Sequence, residues 1–159
     1  MSVSLWPRAP SVHVGAGLLC VFAGAIAALS PKRAPRHPRA GTVYFWSLVV
    51  AVVTMFLLGV TRWSEDRVLV AIGLASLTAA LVGRIAIRRA GAPANRHVIG
   101  MGTSYTLLLV AFYVDNGAHL PLWRTLPPVT YWAIPAGFGA LIVSWAAYRH
   151  RNMRAPFHR

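Results

Sequence analysis

Histidine is the residue type in this sequence with the widest chemistry, and four of the six histidines stand within or between apolar stretches of the chain. They are His13, His37, His97 and His119. Asp115 precedes His119 by four residues, so these two side chains can pair if one helix continues through both. If the apolar stretches are antiparallel helices, His37 and His97 fall at one membrane face, and His13, Asp115 and His119 at the other. We therefore expect two polar clusters at opposite ends of a helical bundle.

Haem ligation is the first chemistry that fits such clusters. Neutral imidazoles from different helices ligate haem iron axially, and the cores of helix bundles are where cofactors sit. The pattern predicts a b-type haem used for electron transfer, with His13, His37, His97 and His119 as candidate ligands. A bis-histidine site requires two imidazoles on opposite sides of the iron.

Zinc binding is an alternative chemistry. His13, Asp115 and His119 could hold a zinc ion with an open position, which would suit a membrane hydrolase. This alternative ranks last, because the only other acids, Glu65 and Asp66, lie in a predicted loop and leave the site without a general base. The sequence carries none of the H-E-x-x-H, C-x-x-C, G-x-S-x-G or Walker motifs.

The elements that must position these residues are apolar stretches long enough to cross a membrane, which takes about 20 residues each. Five such stretches fill most of the 159 residues, at about 11–30, 41–61, 68–87, 98–114 and 129–148. The chain is 57% hydrophobic and only 12% charged, whereas an average soluble domain is about a quarter charged. The sequence predicts an all-α integral membrane bundle of five transmembrane helices. It forms a single polytopic domain (1–159) with a basic tail (149–159).

The distribution of charge predicts the orientation of this bundle. The net charge is +13, from 16 basic and three acidic residues. Twelve basic residues fall on one side: Lys32, Arg33, Arg36, Arg39, Arg84, Arg88, Arg89, Arg96, Arg149, Arg151, Arg154 and Arg159. The other side has four (Arg8, Arg62, Arg67 and Arg124) and all three acids. By the positive-inside rule, the N-terminus lies outside and the C-terminus in the cytoplasm. The partner of the basic tail is then the lipid bilayer, and not a nucleic acid.

Small residues line one face of two predicted helices, and such faces permit close helix packing. The first face contains His13, Gly17, Cys20, Gly24, Ala27 and Ala28, and the second contains Gly73, Ser76, Ala80 and Gly83. These faces motivate a second functional hypothesis, a non-enzymatic accessory or scaffold subunit of a larger membrane complex. Its partner would be another membrane protein or a second copy of the chain.

Three of the histidines stand in short motifs with small and aromatic residues. These are His13 with Gly15, Gly17 and Gly24; His37, Gly41 and Tyr44 in HPRAGTVY; and His97, Met101, Ser104 and Tyr105 in HVIGMGTSY. This placement resembles a bacterial family of membrane proteins called domain of unknown function 2306. The sequence departs from the family pattern at Pro38, Thr42 and Gly100. The resemblance covers about the first two thirds of the chain and implies a multi-pass protein of the bacterial inner (plasma) membrane.

Overall fold

Five α-helices make up most of the structure, a computed structural model that describes residues 9–31, 35–89 and 94–152. They are α1 (Ala9–Leu29), α2 (Arg36–Gly59), α3 (Trp63–Arg88), α4 (Ala94–Asn116) and α5 (Thr130–Asn152). All five are long and apolar enough to cross a membrane, so the prediction of five spanning helices is confirmed at that level. Arg8, Lys32, Arg33 and residues 153–159 of the predicted basic tail lie outside the described residues.

The helices extend beyond the predicted apolar stretches at several ends. α2 begins at Arg36 and α3 at Trp63, each five residues before the first residue predicted from hydropathy. α5 continues to Asn152, four residues into the predicted tail. Hydropathy measures only the apolar part of a helix, whereas backbone hydrogen bonds continue through polar residues. As a result, His37 lies inside the first turn of α2 rather than in a loop.

The chain divides into two compact units, Met1–Leu74 and Ala75–Arg159. The first contains α1, α2 and the first part of α3, and the second contains the rest of α3 with α4 and α5. The assignment of the chain to a single domain stays a prediction.

In the first unit, the small-residue face of α1 packs on α2. Cys20 is fully buried, and its thiol donates to the carbonyl oxygen of Tyr44 at 3.6 Å. Tyr44 and Leu48 are 2% and 1% exposed, so large side chains of α2 fill the space that small side chains of α1 leave open. Dense packing of this kind, rather than the hydrophobic effect, holds helices together in lipid.

In the second unit, small residues bring the backbones of α3 and α4 together. A Cβ atom added at Gly100 would lie 2.6 Å from the Cα of Gly83. Ser76 lies two turns before Gly83 in α3, and Ser104 lies one turn after Gly100 in α4. The Ser76 hydroxyl donates to the carbonyl oxygen of Ser104 at 2.9 Å, and both serines are at most 1% exposed. The predicted small-residue face of α3 is therefore covered by α4 within the chain, at least from Ser76 to Gly83.

The last helix of the second unit packs on α4 through another close approach. A Cβ atom added at Gly139 of α5 would overlap the side chain of Thr106 on α4. One turn further along α5, the side chain of Val143 occupies the space next to Gly102. Pro135 lies inside α5 and is buried, and the helix runs through it from Thr130 to Asn152.

Candidate functional site

Three of the four predicted ligand histidines use the same ring atom in the same way. His13, His37 and His97 each stand near the N-terminus of a helix and place Nδ1 against the main-chain carbonyl of a neighbouring helix. Because a carbonyl oxygen can only accept, Nδ1 must carry the proton in each bond. We call these three contacts the histidine locks.

The His37 lock satisfies a carbonyl that the helix itself leaves unpaired. Nδ1 of His37, in α2, lies 2.7 Å from the carbonyl oxygen of Ala27 in α1. In a continuing helix, the N–H of residue 31 would bond this oxygen, but residue 31 is proline and has no N–H. The next histidine in the chain therefore supplies the donor that the end of α1 lacks.

The His13 lock joins the start of α1 to the second half of α2. Nδ1 of His13 lies 3.0 Å from the carbonyl oxygen of Ala51 and 3.1 Å from Oγ1 of Thr54. The Thr54 hydroxyl donates to the carbonyl oxygen of Val50 at 2.8 Å, which leaves its oxygen lone pairs available to accept from the imidazole. The Thr54 hydroxyl therefore accepts from the His13 ring and donates to the backbone of α2.

The His97 lock lies beside the closest approach of the second unit. Nδ1 of His97, in the first turn of α4, donates to the carbonyl oxygen of Gly83 at 2.9 Å. Gly83 is the residue whose backbone also meets Gly100. His37 and His97 each have a further interaction besides these bonds. The three rings are thus part of the helix packing of their own units.

The predicted pair of Asp115 and His119 does not form. α4 ends at Asn116, and Gly117–His119 is a separate 3-10 turn, so the side chains are not one α-helical turn apart. The Asp115 carboxylate accepts from the side-chain amide of Asn116 at 3.3 Å, and His119 is exposed. The glycine at position 117 ends the α-helix at the point where Tyr131 packs against the backbone.

The predicted cofactor ligands are not brought together within either unit. In the first unit, His13 and His37 make their locks at opposite ends of the α1–α2 pair; in the second, His97 and His119 lie at opposite ends of α4. Across residues 9–31, 35–89 and 94–152, no three His, Cys, Asp or Glu side chains group so as to hold a metal ion. The zinc and haem assignments therefore gain no support from the geometry of the units.

An aromatic cluster lies at the other end of the second unit. The ring of Trp123, in the connection between α4 and α5, stacks on Tyr113 of α4 with centroids 4.1 Å apart. Tyr131 of α5 lies 6.2 Å from Trp123 and is 8% exposed. Trp123 and Tyr131 thus lie at the packed centre of the connection between α4 and α5. The pairing with Tyr113 has no signal in the sequence pattern.

The acceptors of the histidine locks could not be found by a search for reactive side chains, because all three are main-chain carbonyls. Only the acceptor of His37 has a signal, namely a proline four residues after Ala27. Comparison with protein-family models, with curated proteins and with solved structures finds no match to this chain. The resemblance to the family named above stays a prediction.

Proposed function

We propose that this chain is a non-enzymatic multi-pass membrane protein that packs against a larger membrane complex as an accessory or scaffold subunit. One observation carries the proposal: the three histidines best suited to chemistry donate Nδ1 to main-chain carbonyls of neighbouring helices. In lipid, polar side chains commonly connect helices in this way. The histidines are then accounted for by assembly of the protein, without a reaction.

The charge pattern supplies the orientation in this proposal. Arg36 and Arg39 open α2, and Arg88 closes α3. The acids Glu65 and Asp66 stand in the first turn of α3, at its other end. The asymmetry favours an N-terminus outside and a C-terminus in the cytoplasm. A bacterial inner membrane is the proposed location, from the family resemblance.

The surface offered to a partner is an outward face of α5. Five bulky residues recur on it at alternating steps of four and three: Ile134, Phe138, Leu141, Trp145 and Tyr148. Their exposed fractions run from 47% to 72%. At about 100° per residue they form one stripe, roughly 160° around the helix from Gly139 and Val143, the residues that pack on α4. On the small-residue faces, by contrast, Cys20 and Gly24 of α1 and Ser76, Ala80 and Gly83 of α3 are buried within the chain. We call the α5 residues the outer stripe.

The first test separates a histidine lock from a histidine ligand. Asparagine places an N–H donor where Nδ1 of histidine stands, but it has no atom at the Nε2 position. We expect the unfolding free energies of His13→Asn and His97→Asn to lie within about 0.5 kcal/mol of the wild-type value. The leucine variants at the same two positions should each lose about 1 kcal/mol of unfolding free energy. The measurement is reversible unfolding in mixed detergent micelles, followed by circular dichroism.

An absorption spectrum of the same proteins tests the competing hypothesis. A Soret band in the wild type, purified after expression with ample haem, that disappears in the asparagine variants would refute the structural role. Equal stability of the leucine and asparagine variants would also count against the locks, because the donor would then contribute nothing.

A second test addresses the partner. A photoreactive amino acid at Leu141, in the outer stripe, should give a cross-link to another membrane polypeptide in intact cells. The same probe at Ala140, which is exposed on a different side of α5, should not. Cross-links to lipid alone from both positions, together with migration of the chain as a monomer in a mild detergent, would contradict the accessory role.

A further inference from the structure

Four arginines gather at one end of the second unit. Arg84, Arg88 and Arg89 lie in and just after the last turns of α3, and Arg96 lies in the first turn of α4. Arg88, Arg89 and Arg96 are exposed, and Arg84 is half-buried. We call these four residues the basic end.

Helix packing fixes the basic end in place. Arg84 directly follows Gly83, and Arg96 directly precedes His97, so both flank the lock in which His97 donates to the carbonyl oxygen of Gly83 at 2.9 Å. The backbone approach of Gly83 and Gly100 holds the same two helices together. The contacts of α3 with α4 therefore bring the arginines near one another, although their like charges repel.

The second unit has no side-chain carboxylate near the three exposed arginines of the basic end, Arg88, Arg89 and Arg96. Its single acid, Asp115, comes 19 residues after Arg96, which is about 28 Å along α4 at 1.5 Å per residue. Glu65 and Asp66 open α3, 18 residues or more before Arg84. An anion from outside the chain is therefore the counter-charge available to Arg88, Arg89 and Arg96, whereas Arg84 has a further interaction of its own. At the end of a membrane-spanning helix, the abundant fixed anions are lipid phosphates.

We propose that the basic end binds the headgroup of an anionic phospholipid, with the arginines donating to its phosphate. Guanidinium groups suit this role because their planar array of N–H donors matches phosphate oxygens. The same turn of α4 contains a buried acceptor, Oδ1 of Asn95, that has no hydrogen-bond partner among the described residues. A hydroxyl of a glycerol headgroup would supply the donor that this oxygen lacks, so phosphatidylglycerol is the probe of choice. The proposal is independent of the accessory role, because it requires only the second unit.

The experiment compares two double variants that lower the net charge equally. Arg88→Gln with Arg96→Gln removes half of the basic end, and Arg67→Gln with Arg124→Gln removes two exposed arginines that lie elsewhere. The delipidated full-length protein is titrated with phosphatidylglycerol or phosphatidylcholine, and bound lipid is counted by native mass spectrometry. Each arginine near an anionic headgroup contributes a factor of about five, so the first variant should bind phosphatidylglycerol about 25-fold more weakly.

The wild type and the Arg67/Arg124 variant should bind phosphatidylglycerol alike and prefer it to phosphatidylcholine. An equal loss in both variants would overturn the proposal, because net charge and not the basic end would then determine binding. Equal binding of the two lipids would overturn it too. Competition by inorganic phosphate at concentrations comparable to those of the lipid would assign the surface to a free anion instead.

Discussion

Replacing Gly100 by leucine should cost the protein about 3 kcal/mol of unfolding free energy, at the upper end of what overpacking costs. A Cβ atom at this position would lie 2.6 Å from the Cα of Gly83, 2.7 Å from its nitrogen and 2.8 Å from the carbonyl oxygen of Ala79. These are all backbone atoms of α3, and no rotamer change can move them away. The two helices must therefore separate.

Separation would also affect the polar contacts beside the glycines. The bond from His97 to Gly83 is 2.9 Å long, and so is the bond from Ser76 to the carbonyl oxygen of Ser104. Ser76 and Ser104 are buried, and a buried hydroxyl without a partner is costly. The leucine variant thus loses backbone packing and polar contacts together, and we expect its circular dichroism signal to collapse at lower denaturant concentration.

Gly137→Leu is the matched control for this variant. No atom lies within 4 Å of a Cβ atom added at Gly137. A glycine in a helix interior also disfavours the helix by about 1 kcal/mol relative to the best helix formers. The control should therefore be as stable as the wild type or more so. If leucine at both positions has the same effect, the backbone approach of Gly83 and Gly100 is not a determinant of stability.

Much of the helical architecture follows from composition, because a chain in lipid must satisfy its backbone within each segment. Five apolar stretches of spanning length leave few alternatives to five helices. The small residues Ser76, Ala80 and Gly83 on α3 also predict a close helix contact. What composition does not supply is the partner of that face. The sequence allows another protein or a second copy, whereas the structure uses α4 of the same chain.

The histidines show why the site was harder to predict than the fold. An ionisable residue near membrane depth is by default a candidate for function, and the spacing of His37 and His97 suggested a pair. The deciding contacts are made by Nδ1 and by main-chain oxygens, which every residue has and no motif marks. Pro31 is the exception, since a proline removes the donor for the carbonyl of Ala27. A search for prolines four residues after a helical carbonyl, with a polar donor close by, would have found the His37 lock.

The two ends of the second unit differ in what stabilises them. The aromatic cluster of Tyr113, Trp123 and Tyr131 orders the connection after α4 by ring packing. The basic end has no aromatic core among its described residues and carries like charges instead. The first end is stabilised by its own rings, whereas the exposed arginines of the second, Arg88, Arg89 and Arg96, have no side-chain carboxylate near them. This difference is why the inferred lipid site lies at the basic end.

Gly139→Ala on α5 and Thr106→Gly on α4 should each destabilise the protein, and combining them should restore part of the lost stability. In Gly139→Ala, the new Cβ atom would overlap the Oγ1 and Cγ2 atoms of Thr106 and lie 2.8 Å from its Cβ. The Thr106 hydroxyl donates to the carbonyl oxygen of Gly102 at 2.9 Å, and a β-branched side chain has few alternative rotamers in a helix. We expect Gly139→Ala alone to lose about 2 kcal/mol.

Thr106→Gly removes the side chain on α4 that the new Cβ atom on α5 would overlap. Alone, it should be destabilising by about 1 kcal/mol or more, from lost packing and from the low helix propensity of glycine. Combined with Gly139→Ala, it transfers one Cβ atom across the contact, and the double variant should be at least about 1 kcal/mol more stable than the sum of the single losses. Unfolding of all four proteins in mixed micelles completes the cycle. Additive losses would mean that Gly139 and Thr106 do not pack against each other, and the contact of α4 with α5 would then need a different register.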